Sequence, residues 1–545
     1  MFTRALEKPA ISSWLVIALS SVWLAVLGNV PLWKTLHNLP EIEGWHGFGV
    51  GLAFALIITG ITTSVLALLN WNWTRKIAIS VLLLLVAFAT HYMLMYSIVV
   101  DTPMLINVLQ TDAHEASDQL SWQLLFTVLL LAVAPMVWLW KQPVTRLSWK
   151  SQITHNIILF ASGLLMSFGA LQLTFQDFSS LMRNYLDMRY QINPLNSIYA
   201  VLDYTVIPAE QAVGPMQPVG TQARIAHRPA QPPLLVVVLG ETARSQNFSL
   251  NGYPRETNPH LAHEAVTSFT QVSSCGTSTA ESLPCMFSHL NRSEFNTRQY
   301  EYENVFDVLQ HAGYGVVWID NQSGCKSLCD RLPSLRTANL NQAEHCASGE
   351  CRDTIMLTEV NAQIARLTAA QRQQGIVIVM HQMGSHGPAY YKRSDPAFKK
   401  FLPECTNTAL SQCDRQTVLN AYDNTIVQTD FFLSQVIQWL KTQHKSHTTA
   451  MLYVSDHGES LGEKNLYLHG LPYAVAPAEQ TTVPLITWLS PSFESFRRVK
   501  TTCLQAERNK PLAHDNLFHS VLGLMAVQTE EYRRERDLFA SCEGR

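Results

Sequence analysis

Five apolar segments crowd the first third of the chain, at about 14–33, 47–69, 77–99, 124–140 and 157–173. Each is close to the ~20 residues that a helix needs to cross the hydrocarbon core of a bilayer. Trp and Tyr stand at several of the ends, as interfacial residues do. The loops set the orientation. Arg4 and Lys8 precede the first segment, Arg75 and Lys76 lie between the second and third, and Lys141, Arg146 and Lys150 lie between the fourth and fifth. Residues 101–119, after the third segment, contain no Lys or Arg, and the loop after the first has only Lys34. The positive-inside rule therefore predicts a cytoplasmic N-terminus and an external location for everything after the fifth segment. The first segment reads as a retained span, because its apolar run is long for a signal peptide and four more spans follow.

The cysteines are an independent test of that orientation. All ten lie at or beyond Cys275, in the part predicted to be external. An even set confined to an oxidising compartment reads as disulfides. Eight fall as near neighbours, Cys275 with Cys285, Cys325 with Cys329, Cys346 with Cys351 and Cys405 with Cys413, which leaves Cys503 with Cys542. Spacing alone leaves this connectivity open. A zinc site at Cys325 and Cys329 is the competing reading, but no second Cys or His pair of matching spacing completes it.

A formal net charge of −3 does not suggest a nucleic-acid partner, and no obligate protein partner is evident. The expected organisation is a five-helix transmembrane domain (1–174), a membrane-surface helix and linker (175–233) and an external catalytic domain (234–545). Phe175, Phe178, Leu181, Met182, Tyr185, Leu186 and Tyr190 recur at helical spacing, as in a segment lying on a membrane surface or packed on the soluble domain. Residues 208–233, rich in Pro, Gln and Ala, read as an extended linker. Beyond 234, short apolar runs at 234–239, 315–319, 376–380, 450–454 and 485–489 alternate with helical stretches such as 304–312, 354–369 and 420–441. That alternation predicts an α/β domain with a mostly parallel sheet covered on both faces. Sites in such domains form at the carboxyl ends of strands.

Two of these strands end in metal-type ligands. One runs into Ser455-Asp456-His457-Gly458-Glu459, where Gly458 is expected to permit the break that lets Asp456 and His457 reach one ion. Another ends in Gly240-Glu241-Thr242, which adds a carboxylate if the strands are parallel neighbours. The segment from Ser274 to Cys285 is crowded with hydroxyls between two cysteines, and Thr277 or Ser278 is a candidate helix cap there. A hydroxyl at a helix N-terminus faces N–H groups that favour phosphate, and a bound Zn²⁺ makes its alkoxide accessible. The residues alone do not say which hydroxyl that is. His386, just beyond a strand, and His469, shortly after the metal pair, are candidates for a second ion, a phosphoryl contact or proton transfer. Lys326, held between cysteines, is a candidate phosphate partner, and His381 reads as structural.

These motifs, with Asn251-Gly252-Tyr253-Pro254-Arg255-Glu256-Thr257 and the stretch from Gly384 to Tyr391, resemble the membrane-bound phosphoethanolamine transferases. Within that family they resemble the lipid A-modifying members, related to the mobile colistin resistance enzymes. The resemblance spans nearly the whole chain. It implies an alkaline-phosphatase/sulfatase-like fold in the periplasm of a bacterial inner-membrane protein. It implies zinc held by Glu241, Thr279, Asp456 and His457, with Thr279 as the nucleophile. One ion is held tightly, and a second is taken up at most during turnover. Ser323, Lys326, His386 and His469 match positions that contact the donor, as do Asn107, Thr111 and Glu115 in the loop after the third span. The implied donor is phosphatidylethanolamine, the acceptor a lipid A phosphate, and the consequence polymyxin resistance. One departure is Glu281-Ser282-Leu283, where relatives often carry a smaller or apolar residue and Val.

The rival acceptors are a Kdo or heptose sugar of the core, or a periplasmic glucan. A glycerophosphate transferase of the lipoteichoic-acid-synthase type has a similar architecture. A sulfatase is disfavoured because Cys275 lacks the Cys/Ser-x-Pro-x-Arg pattern. A non-catalytic membrane sensor would not need Thr279 and its ligands, all of which are present.

Overall fold

The computed structural model describes residues 10–39, 42, 44–111, 116–117, 119–205, 215–340, 342, 345–347 and 350–544. Arg4, Lys8 and Glu115 lie outside them. The chain divides into two compact units, Met1–Leu105 with Leu120–Ile207, and Ile106–Gln119 with Pro208–Arg545. The stretch read as a separate surface helix and linker is therefore shared out. Its helical part goes with the spans and its Pro-rich part with the second unit.

The first unit holds five helices long and apolar enough to cross a membrane: Ser13–His37, Gly44–Leu68, Arg75–Tyr96, Trp122–Lys141 and Trp149–Leu173. The first is broken by a 3₁₀ turn at Leu27–Asn29, just before Pro31. The fourth carries a π-helical turn at Leu129–Val133, just before Pro135, whose missing N–H and ring forbid a regular ladder there. The fifth begins eight residues earlier than its apolar run, because Gln152 and Asn156 are buried in a polar network rather than facing water. The second and fifth spans meet through small residues. A Cβ on Gly60 would lie 2.4 Å from the Gly163 carbonyl oxygen, and one on Gly163 would lie 2.4 Å from that of Gly60. Ser64 donates to the Phe160 carbonyl at 3.0 Å and Ser167 to that of Ile57 at 2.9 Å. Small residues four apart on both helices let the backbones touch, which is how helices associate where lipid removes the hydrophobic drive. The amphipathic segment forms Phe175–Asn184 and packs on the spans, with Phe178 5.1 Å from Phe54 and Leu181 in the same cluster.

The second unit is built on an eight-stranded sheet: β1 Pro233–Gly240, β2 Val266–Ser273, β3 Gly315–Asp320, β4 Ser334–Arg336, β5 Ile376–His381, β6 Thr448–Ser455, β7 Thr482–Leu489 and β8 Leu512–Ala513. Their order is β8-β2-β7-β6-β1-β5-β3-β4. β7 runs antiparallel to both neighbours, and the other pairings are parallel. β1, β5 and β6 are buried along their whole length, as continuous apolar runs covered on both faces must be. β2 escaped the sequence reading because Thr267, Ser268, Thr270 and Gln271 interrupt its apolar run. The Pro-rich linker is not free after Met216. Gln217 bridges to Tyr302, and Arg224–Ile225 pairs with Val527–Gln528. All five cysteine pairs expected from spacing are disulfides here, so Cys325 and Cys329 are not zinc ligands.

The close approach of the second and fifth spans predicts that Gly163→Leu lowers the melting temperature of the detergent-solubilised protein. Gly169→Leu, in the same span but with open space around its Cβ, is expected to leave it unchanged. Equal melting of the two variants would remove the packing role assigned to Gly163.

Candidate metal centre and nucleophile

β1 and β6 are adjacent and parallel, with Gly240 paired to Ser455. The next residue on each strand is therefore a ligand candidate, Glu241 on one and Asp456 on the other. The backbone is strained at this point: Thr242 has φ 59°, a left-handed conformation that a β-branched residue rarely adopts. Hydrogen bonds hold it there. Its N–H donates to Asp456 Oδ1 at 3.1 Å and its hydroxyl to Glu241 Oε1 at 2.7 Å. Gly458 serves a different purpose from the one expected. Its φ is not positive. A Cβ there would lie 2.1 Å from the Glu479 carbonyl oxygen, so the residue is small to admit a neighbouring chain.

The hydroxyl segment starts helix α1, Thr279–Met286. Thr277 donates to the Leu471 carbonyl at 2.7 Å, and the buried Ser278 hydroxyl makes no hydrogen bond although Ser278 occupies the cap position. Thr279 is the hydroxyl that reaches the carboxylates. Its Oγ1 is 3.1 Å from both oxygens of Glu241 and 3.4 Å from His457 Nε2. His457 Nε2 is in turn 3.4 Å from Glu241 Oε1 and 3.3 Å from Asp456 Oδ2. Thr279 is 4% exposed, and the other three are fully buried.

Two carboxylates in a dry pocket need a cation, and in this arrangement the imidazole supplies it. Burial pushes the Glu241 carboxyl up, but the hydrogen bond and charge of His457 outweigh it and hold it below the usual carboxylate range. Burial and the charge of Glu241 push Asp456 up to about 6. His457 is raised to about 10, because the charges of Asp456 and Glu241 win against burial. A divalent ion would meet the same demand with more charge. The ligand atoms of Glu241, Asp456 and His457 all lie within 4.8 Å of one another. Asp456 Oδ2 is buried and accepts no hydrogen bond, so one oxygen is left open toward the centre. Nitrogen, carboxylate and hydroxyl donors in a closed cluster fit Zn²⁺.

The remaining candidates surround this cluster. The His469 ring lies 4.3 Å from that of His457 and 5.7 Å from that of His386. His469 Nδ1 is 2.7 Å from Glu459 Oε2, and Tyr390 donates to the other oxygen of Glu459. Gln322 joins the metal candidates to the lysine loop. Its Nε2 donates to Glu241 Oε2 at 3.0 Å and its Oε1 accepts from the Ser323 hydroxyl at 2.5 Å. Lys326 Nζ then donates to Ser323 Oγ and to the Gln110 carbonyl, both at 3.3 Å. Asn107 and Thr111 lie on that same stretch, and the Thr111 hydroxyl donates back to the Asn107 carbonyl at 2.8 Å. His381, read as structural, is fully buried beside the cluster, 4.0 Å from Glu241 Oε2 and 3.5 Å from Asp320 Oδ1.

Several residues that shape the site carried no signal in the sequence. His514 accepts from the Cys275 N–H at 3.0 Å and bonds the Ser455 carbonyl at 3.0 Å, tying the hydroxyl segment to the end of β6. Ser282 donates to the Asp456 carbonyl at 2.5 Å, tying α1 to the same turn. Asp353 accepts from the N–H groups of Met383 and Gly384 at 2.8 and 3.1 Å and fixes the loop that bears His386. The Asn251-to-Thr257 motif is a brace. Tyr253 and Arg255 both bind the buried Asp423 of helix α2, Arg415–Thr442.

Two family models match the chain: Phosphoethanolamine transferase EptA/EptB over residues 58–208 and Sulfatase over residues 233–527. The chain is 35% identical over 555 residues to the phosphoethanolamine transferase EptA of Escherichia coli (strain K12), covering 99% of each. It is 34% identical to the phosphatidylethanolamine transferase Mcr-1 of Escherichia coli, covering 97% of this chain and 98% of that one. Among solved structures, the integral membrane lipooligosaccharide phosphoethanolamine transferase A (EptA) from Neisseria meningitidis matches with a TM-score of 0.92. The identity there is 32%, covering 98% of this chain and 100% of that one.

His514 has a consequence for stability. Burial pushes its imidazole down to about 3, while the unfolded chain titrates near 6.5. Between those values the unfolded state binds the extra proton, so the stability His514 contributes is complete above pH 6.5 and is lost as pH falls toward 3. The wild type is expected to lose about 2 kcal/mol between pH 7 and 5 through this residue. In denaturant titrations across that range, His514→Gln should show a correspondingly flatter profile. An unchanged slope would contradict the buried neutral imidazole.

Proposed function

The chain belongs to the phosphoethanolamine transferases of the EptA type, membrane proteins with a sulfatase-family catalytic domain, and on that premise we propose that it transfers phosphoethanolamine from phosphatidylethanolamine to a phosphate of lipid A through a covalent intermediate on Thr279. The observation that carries this reading is the placement of the Thr279 hydroxyl against Glu241 and His457 at the start of α1. Five spans place the chain in the bacterial inner membrane with its catalytic domain in the periplasm. Donor and acceptor are lipids, which accounts for a catalytic domain carried on a membrane anchor.

Glu241, Thr279, Asp456 and His457 would hold one Zn²⁺. When bound, the ion neutralises the carboxylates and lowers the pKa of a coordinating hydroxyl. In the first half-reaction the Thr279 oxygen attacks the phosphorus of phosphatidylethanolamine. The bond from phosphorus to the diacylglycerol oxygen breaks, and the leaving oxygen takes up a proton. Phosphoethanolamine is then joined to Thr279 as a phosphodiester. In the second, an oxygen of the lipid A phosphate attacks the same phosphorus, and the Thr279 oxygen leaves and regains its proton. His386 and His469 would bind phosphoryl oxygens and handle these protons, with Glu459 orienting His469. Lys326 and Ser323 would bind the donor phosphate, with Asn107, Thr111 and Glu115 contributing from the loop after the third span. The transfer masks negative charge on lipid A, which would weaken binding of polymyxin and other cationic peptides.

Mass spectrometry of lipid A from cells making the protein is expected to show added phosphoethanolamine, and Thr279→Ala is expected to abolish it. Unmodified lipid A alongside a modified core sugar or glucan would move the assignment to one of the other acceptors. Full transfer by Thr279→Ala would end the nucleophile assignment. Dialysis of the purified protein against a chelator should remove about one zinc per chain together with activity. Added Zn²⁺ should restore both in the wild type, whereas His457→Ala should not regain tightly held metal.

A further inference from the structure

Arg75 is the first residue of the third span and is 4% exposed. Its guanidinium is held by neutral amides. Nε donates to Asn70 Oδ1, and Nη2 lies 3.4 Å from Gln152 Oε1. Those amides are in turn committed to one another. Gln152 Nε2 donates to the Asn70 carbonyl at 2.7 Å and to Asn156 Oδ1 at 2.8 Å, and Asn70 Nδ2 donates to Asn156 Oδ1 at 2.9 Å. Amides solvate a cation without neutralising it, and a buried charge with no opposite charge is costly. The start of a helix adds to that cost, because the peptide dipole disfavours a cation there.

No carboxylate pairs with Arg75 among the described residues. The sequence explains why. The segments that the positive-inside rule puts in the cytoplasm carry Arg4, Lys8, Arg75, Lys76, Lys141, Arg146 and Lys150, and Glu7 is their one acid. The compensating charge has to come largely from outside the chain.

A groove of about 250 Å³ adjoins this network, between the cytoplasmic ends of the second and fifth spans. Leu68, Trp71, Ile153, Ile157 and Phe160 line it, and Asn156 of the polar network forms part of its wall. Leu68 is 62% and Ile157 63% exposed, so the groove opens sideways where the surroundings are hydrocarbon. An apolar groove whose wall includes Asn156, hydrogen-bonded to the amides that hold an uncompensated cation, has the chemistry of a phospholipid site. We propose that this groove binds one anionic phospholipid of the cytoplasmic leaflet, with its phosphate at the Asn156 end, facing the charge of Arg75 through the amide network, and an acyl chain along Trp71, Ile157 and Phe160. The excess of basic residues around Arg75 favours a headgroup of net negative charge over a zwitterionic one. The positive-inside rule puts the groove at the cytoplasmic leaflet, so its lipid is a resident that joins the second, third and fifth spans and is not the donor.

The test is native mass spectrometry of the full-length protein released from nanodiscs containing phosphatidylethanolamine and a minor share of phosphatidylglycerol. The wild type is expected to retain one phosphatidylglycerol in preference to phosphatidylethanolamine. Arg75→Gln is expected to lower the retained fraction about fivefold or more. Because Arg75 is buried and its variant can misfold, Ile157→Trp is measured beside it, since it fills the groove from an exposed position. It should lose the lipid while keeping the wild-type circular dichroism spectrum. Retention of phosphatidylglycerol by folded Ile157→Trp or Arg75→Gln at the wild-type level overturns the proposal. So does a wild type that holds the two lipids without preference.

Discussion

The catalytic unit depends on one pairing, the parallel alignment of β1 with β6 that sets Gly240 against Ser455. Side chains alternate along a strand, so a slip of one residue would turn Glu241 away from Asp456 and His457. Register is held by the all-buried apolar runs of both strands, since a slip would bring the polar residues at their ends into the core. Hydrophobic packing thus fixes the position of three charges that oppose burial. Their mutual demand for a cation then defines the chemistry of the centre.

Those charges are stabilised by a shell of backbone and neutral contacts. Thr242 and His457 both donate backbone N–H groups to Asp456 Oδ1. Gln322 donates to Glu241, and Ser282 and His514 clamp the surrounding turns to each other. Nearly every one of these partners is neutral, which leaves the central positive charge to His457 or to a metal. The membrane unit obeys the same rule in another solvent. Its close span contact uses small residues and serine hydroxyls, and the one buried arginine among its described residues is surrounded by amides.

The two units differ in how readily they are read. Spans are legible because lipid allows only long apolar helices, and composition alone reports those. Their ends shift where polar residues turn inward, as Gln152 and Asn156 do in the fifth span, because hydropathy cannot tell a buried amide from a solvated one. In the sheet, the strands with unbroken apolar runs were visible, whereas β2, with Thr267, Ser268 and Thr270, was not. The long helix α2 was found, but its start at Arg415 depends on the Asp414 cap rather than on apolar spacing.

Within the centre, Asp456 and His457 declare themselves as adjacent ligand types at a strand end, and Glu241 at another. These follow from residue chemistry and local pattern, which a sequence carries in full, as it does the count and external position of the cysteines. Which hydroxyl faces the carboxylates does not follow from pattern, since Thr277, Ser278 and Thr279 are chemically alike and differ only in direction. A resemblance to a family pointed to Thr279, and the structure supplies the physical cause: Thr277 is committed to the Leu471 carbonyl, 194 residues away. The roles of His514, Gln322 and Asp353 were equally hidden, because each acts on a partner remote in the chain. Local composition determined the compartments, the spans and the ligand types. Contacts between distant segments, which exist only once the chain has closed on itself, decided which of those groups meet.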